Sequence, residues 1–206
     1  MKNILAFGDS NTWGLIPGTK ERYLWGDRWT SLVEESLSDT RVIEEGLCGR
    51  TTVFEDELRP LRRAIDVLPM VLESKGELDA VIIMLGTNDC KTLFHSSPYT
   101  IGKGMERCLD EIEKVIPSEK VLVVSPIHLG DNVWEADKDP EFDVRSVETS
   151  KGLKDVYRNI SARHKTRFLA ASDYAEPSHI DEEHMDKEGH RRLADAIVEK
   201  LEEMAI

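Results

Sequence analysis

Acyl transfer to a serine needs a hydroxyl, a base to take its proton, a group that orients the base, and hydrogen-bond donors where the oxyanion develops. The segments "GDSNTWG" (8–14), "GLCGRTT" (46–52), "GTND" (86–89) and "DEEH" (181–184) hold this inventory between them. Ser10 offers the hydroxyl, and its own backbone N–H can face the oxygen of the carbonyl its side chain attacks. Gly49 has no Cβ, so its N–H can approach a bound acyl group closely. Asn88 adds a side-chain amide as a third donor, of the kind whose loss costs about 3 to 4 kcal/mol.

Of the six histidines, only His184 has a carboxylate three residues earlier in an expected loop, Asp181. There the backbone can turn the acid onto the ring, which makes His184 the candidate base. His190 and Asp186 have i,i+4 spacing on an expected helix, where an exposed pair is worth only tenths of a kcal/mol. His95 and His164 read as surface residues. His128 falls in a long loop and is open to lining a pocket. Singly these signals are weak; their joint order carries the reading.

That order depends on the elements that place the segments. Apolar runs of strand length recur at 3–7, 41–45, 80–85, 120–125 and 166–171, and the third and fourth are nearly unbroken. Unbroken runs suit central parallel strands buried on both faces. Helical periodicity covers 27–37, 98–116 and 187–204, with further helices expected over 56–74, interrupted by Pro60 and Pro69, and over 144–164. Ser97 caps the second of these, with Pro98 in its first turn. Alternating strands and helices imply an α/β three-layer sandwich on a five-stranded parallel sheet with right-handed crossovers. Sites in such folds lie beyond the carboxyl ends of the strands. All the chemically equipped segments follow strands.

Composition narrows the classes. The 206 residues read as one domain over 1–206, large enough for a real core. Forty acidic against 27 basic residues give a net charge of -13, which argues against a nucleic-acid partner. No apolar stretch approaches the roughly 18 residues of a membrane span. The opening lacks the pattern of a signal peptide, and three cysteines without CxxC spacing suit a reducing compartment, so a cytoplasmic protein is expected. "HIDEEHMDKEGH" is rich in possible ligands but has no metal-ligand spacing, and "GDSNTWG" lacks the lysine of a phosphate-binding loop. No metal and no cofactor are expected. A non-catalytic binding module on the same fold is the rival from another class.

The four segments in order resemble the sequence blocks of the SGNH (GDSL-like) hydrolases, over residues 4–190. "VIEEGLCGRTT" and "VIIMLGTNDCK" resemble its arylesterase and acyltransferase branch. The resemblance implies a flavodoxin-like strand order 2-1-3-4-5, Ser10 as nucleophile, Asp181 and His184 completing a triad, and an oxyanion hole of Ser10, Gly49 and Asn88. It implies short-chain acyl esters as substrates, with transfer to alcohols and carbohydrate O-acetyl esters as variants, and a homo-oligomer. Asn11 departs from the leucine of the family name and is expected to affect only local packing. Asp9 is either a turn residue or a support for the donors. Trp13 either walls an acyl pocket or joins the core. Arg50 and Asp89 read as support beside the oxyanion segments or as a buried pair, Trp25 and Trp29 as packing residues, and Trp134, in the loop 126–142, as a substrate or subunit contact.

Overall fold

The computed structural model describes residues 1–206. The expected apolar runs form β1 (Lys2–Gly8), β2 (Thr40–Gly46), β3 (Ala80–Met84), β4 (Val121–Ser125) and β5 (Arg167–Ala170). All pair in parallel, in the order β2-β1-β3-β4-β5. The α-helices are α1 (Ser10–Trp13), α2 (Trp29–Ser36), α3 (Ala64–Lys75), α4 (Pro98–Ile112), α5 (Val144–His164) and α6 (Lys187–Glu203).

Successive residues of a strand point to opposite faces, so a doubly covered sheet needs apolar residues at every position. On one face Leu5, Phe7, Val81, Ile83, Val121 and Val123 join a core with α3, α4 and α5. On the other, Ile4, Ala6, Ile82, Met84, Leu122 and Val124 meet α2 and α6. The three layers follow directly. Ser97 caps α4, accepting from the Thr100 N–H at 3.2 Å, and Asp143 caps α5 through Ser146.

The helix expected over 56–74 is shorter at its start. Residues 56–63 form turns, and α3 begins at Ala64, whose N–H is taken by the Thr51 carbonyl at 2.9 Å. Pro60 cannot continue a helical ladder, whereas Pro69 lies on the exposed side of α3 and is tolerated inside it. The 126–142 segment has no helix or strand but is anchored by buried Ile127, Leu129, Val133 and Phe142. No helix is long and apolar enough to cross a membrane.

Candidate active site

Register brings the functional turns together. Gly8 pairs with Gly46 on one side and Met84 on the other, so the chain leaves β1, β2 and β3 side by side. Arg50 fastens two of these exits: its Nη1 donates to the Gly8 carbonyl at 2.8 Å and to the Glu45 carbonyl. Its guanidinium lies 4.1 Å from the Phe7 ring centroid, and burial lowers it to about 10. Between these fixed points Gly49 adopts φ +81°, a left-handed conformation that side-chain-bearing residues rarely take. Asn88 Nδ2 donates to the Arg50 carbonyl at 3.2 Å, which draws the turn after β3 onto the Gly49 turn. Asp89 accepts from the Thr52 N–H at 2.9 and 3.1 Å, and burial raises its carboxyl to about 6. Arg50 and Asp89 thus each tie down neighbouring backbone and are not paired with one another.

Ser10 opens the short helix α1, and Asp9 caps it by accepting from the Asn11 N–H at 3.1 Å. The second Asp9 oxygen is buried without a partner, and burial pushes this carboxyl up to about 7. Ser10 Oγ lies 2.9 Å from His184 Nε2, and His184 Nδ1 lies 2.8 Å from Asp181 Oδ2. Asp181 also accepts backbone N–H groups from Gly18 at 2.8 Å, Glu183 at 3.1 Å and His184 at 3.0 Å. Burial alone would raise its carboxyl; these bonds and the His184 charge outweigh that and hold it below the ordinary range. For His184, burial opposes the charged ring most strongly, but Glu183, Asp181 and Asp9 together prevail and raise it to about 9. In the neutral ring, with Nδ1–H donated to Asp181, Nε2 is the acceptor that faces the Ser10 hydroxyl. The arrangement can take a proton from Ser10 and return it to a leaving group.

Several residues with no legible signal in the sequence hold this geometry. Asn11 Nδ2 donates to the Glu183 carbonyl at 3.3 Å, and Asn11 Oδ1 accepts from the Met185 N–H at 3.0 Å. It grips the backbone on both sides of His184, so the expectation that Asn11 affects only local packing is corrected. Leucine offers neither bond. Asn11→Leu should lower kcat/KM by about 10- to 100-fold, mainly through kcat, because two buried backbone groups lose their partners and the His184 ring loses its aim at Ser10. Steady-state kinetics beside a melting curve tests this, and an unchanged kcat with a lowered Tm would assign Asn11 to stability alone. Gly18, at φ +70°, brings its N–H to Asp181 where a Cβ would strike Ile180. Arg28 holds the same 14–28 loop through paired 2.9 Å bonds to Glu44.

The 126–142 loop reaches the same region. The Gly130 N–H donates to the Glu182 carbonyl at 2.8 Å, and Lys138 Nζ lies 3.4 Å from Glu182 Oε1. Trp134 is half-exposed, with Nε1 donating to the Asp131 carbonyl of its own turn. Trp13 is half-buried beneath the Arg22 guanidinium, 5.4 Å from its ring centroid. Trp29 is fully buried, as expected of a packing residue, but Trp25 is half-exposed.

The histidines of 179–190 make separate contacts. His179 is exposed, and His184 belongs to the pair just described. His190 is fully buried, correcting the expected exposed pair with Asp186. Its Nδ1 accepts from the Trp29 N–H at 3.3 Å, its ring packs edge-on against Tyr23, and burial lowers it to about 4. Asp186 instead caps α6 by accepting from the Gly189 N–H at 2.7 Å. His95 sits in a left-handed turn, and His164 is partly buried against Glu113, 3.1 Å away.

Ser10, His184 and Asp181 thus meet at the carboxyl edge of a parallel sheet, and similarity to known proteins gives the class. The chain belongs to the GDSL-like lipase/acylhydrolase family, matching it over residues 6–192, and is a carboxylic ester hydrolase of the SGNH type. A carbohydrate acetylesterase from Sinorhizobium meliloti is similar at 36% identity and TM-score 0.90, over 99% of this chain and 100% of that one. The M. smegmatis aryl esterase is similar at 32% identity and TM-score 0.88, over 99% and 100% of the two chains. A search of curated proteins found no match.

Proposed function

We propose that the chain is a single-domain serine esterase that hydrolyses short-chain, acetyl-type esters of small alcohols or aryl groups through an acyl-enzyme on Ser10. The observation that carries this reading is the continuous relay from Asp181 to His184 at 2.8 Å and from His184 to Ser10 at 2.9 Å. His184 takes the Ser10 proton as Oγ attacks the acyl carbon. The N–H groups of Ser10 and Gly49 and the Asn88 amide stabilise the tetrahedral oxyanion. His184 then gives the proton to the departing alcohol, and water or a second alcohol, deprotonated by His184, releases the acyl group. The similarity to an aryl esterase and a carbohydrate acetylesterase supports both leaving-group classes.

The pH profile tests this reading. A base must be neutral to accept a proton, and His184 is held at about 9 instead of the ordinary 6.5. The kcat/KM for phenyl acetate therefore rises with pH through neutrality and levels only in the alkaline range. A profile already flat just above 6.5 would contradict His184 as the base in this environment.

The same reading includes a homo-oligomer in a reducing compartment such as the cytoplasm. The exposed apolar side chains of Trp25, Leu58, Leu61 and Leu93 supply contact surface, and Cys48, Cys90 and Cys108 are free thiols. Light scattering of the purified chain reads the mass directly.

A further inference from the structure

Glu183 stands between the relay residues and takes no part in the relay. The residue is 6% exposed, and its side chain makes no hydrogen bond to the protein. Its Oε1 lies 3.7 Å from His184 Nε2, the nitrogen that faces Ser10. Its charge also acts on Asp9, which follows β1, and on Cys48, beside Gly49. The lysine whose charge acts on it does not satisfy it. Lys91, itself buried, is already paired with Glu141 at 2.6 Å. The other charged groups that act on Glu183 are Asp139, Asp181 and His184.

The Glu183 oxygens have no protein donor but keep a little exposure, so a substrate that displaces water from this edge must answer them or leave a carboxyl that is costly to bury. A leaving alcohol can do so, because its far end departs on the side of His184 Nε2, where the proton is returned. Hydroxyl groups on that alcohol would donate to the open carboxylate oxygens, an aryl ring would not, and an anionic group would be repelled.

Building on the esterase reading, we infer that Glu183 is the specificity-determining residue of this site: it accepts hydrogen bonds from a hydroxyl-bearing leaving alcohol and excludes esters whose leaving group is anionic. The acyl side of the substrate is then read by the oxyanion donors and the alcohol side by Glu183. Unlike Asn11, which holds the base through the backbone, Glu183 contributes a side chain directed at the substrate.

The test compares kcat/KM for glycerol monoacetate, phenyl acetate and para-acetoxybenzoate with the unaltered chain, Glu183→Gln and Glu183→Leu. Phenyl acetate is the internal reference, so any general effect of Glu183 on His184 cancels in the ratios. Glu183→Leu should lower the glycerol monoacetate to phenyl acetate ratio by roughly tenfold or more, the effect of losing a hydrogen bond to a charged group. Glu183→Gln is nearly isosteric and keeps an acceptor; it should raise the para-acetoxybenzoate to phenyl acetate ratio by about tenfold. If the leucine variant does not fold, the glutamine variant alone decides. Ratios within twofold of the unaltered chain, with phenyl acetate still turned over, would overturn the role of Glu183 and leave the esterase reading standing. No turnover of any of the three esters by the unaltered chain would overturn both.

Discussion

Ser10→Ala lowers kcat for a short-chain aryl ester by about 10^4- to 10^6-fold, the range for loss of a nucleophile from a serine relay. The fold should survive the change. The Ser10 carbonyl, which receives the Gly14 and Leu15 N–H groups at 2.8 and 3.0 Å, belongs to the backbone and is untouched. Asp9 still caps α1 through the Asn11 N–H. Only one side-chain bond is lost, that to His184, so Tm should move little while turnover disappears. Binding should persist, because the backbone donors at Ser10 and Gly49 remain. Stopped-assay rates beside a melting curve check this, and a variant with substantial turnover would remove Ser10 from the chemistry.

Asp181→Asn has the second largest effect, a fall in kcat of about 10^4-fold. The carboxylate accepts the His184 Nδ1–H and three backbone N–H groups, from Gly18, Glu183 and His184. An asparagine has one acceptor oxygen. With that oxygen kept on Glu183 and His184, its NH2 faces Gly18 N–H, donor against donor, and faces His184 Nδ1, which it forces to become an acceptor. The ring then carries its proton on Nε2 and can no longer take one from Ser10. The orphaned Gly18 N–H should cost about 1 to 3 kcal/mol of stability, so this variant, unlike Ser10→Ala, also melts earlier. The Asp181 carboxyl is held below its ordinary 3.8, so its contribution to stability is present above that value and is lost as pH falls through the lower folded one. Asp181→Asn should therefore lose part of the acid-side fall in Tm. Equal activity in the two chains would contradict the orienting role.

The two variants separate chemistry from support, and the division tracks what the sequence makes visible. The strands could be read because β3 and β4 are buried on both faces and are apolar except for Ser125 at the end of β4, and β1 nearly so. Ser10, Gly49, Asn88 and the Asp181–His184 spacing could be read because each is local to a strand exit. Asn11 and Glu183 could not, since their meaning depends on α1 and the 178–185 loop approaching across 172 residues of chain. His190 is different. It shares a helix face with Leu193, Ala194 and Ile197, all buried in one core, and that spacing carried the signal of burial which the nearby Asp186 obscured. Residues 56–63 lie outside α3 because Pro60 cannot continue a helix, a constraint that the apolar spacing over 56–74 does not carry.

Asn11, Arg50 and Asp89 each direct side-chain polar groups to backbone, and the Gly18 N–H is taken by Asp181; through these bonds the exits of β1, β2 and β3 and the 178–185 loop become one rigid edge. That rigidity is what electrostatic stabilisation of an oxyanion requires, since donors that must reorganise during reaction lose most of their effect.

The most direct measurement is intact-mass and peptide-mass analysis of the chain quenched during turnover of an activated acetyl ester. An acyl-enzyme mechanism predicts a mass increase of one acetyl group, confined to the peptide containing Ser10 and absent from Ser10→Ala. Acetylation of another residue, or full turnover with Ser10 never modified and the Ser10→Ala variant equally active, would contradict it.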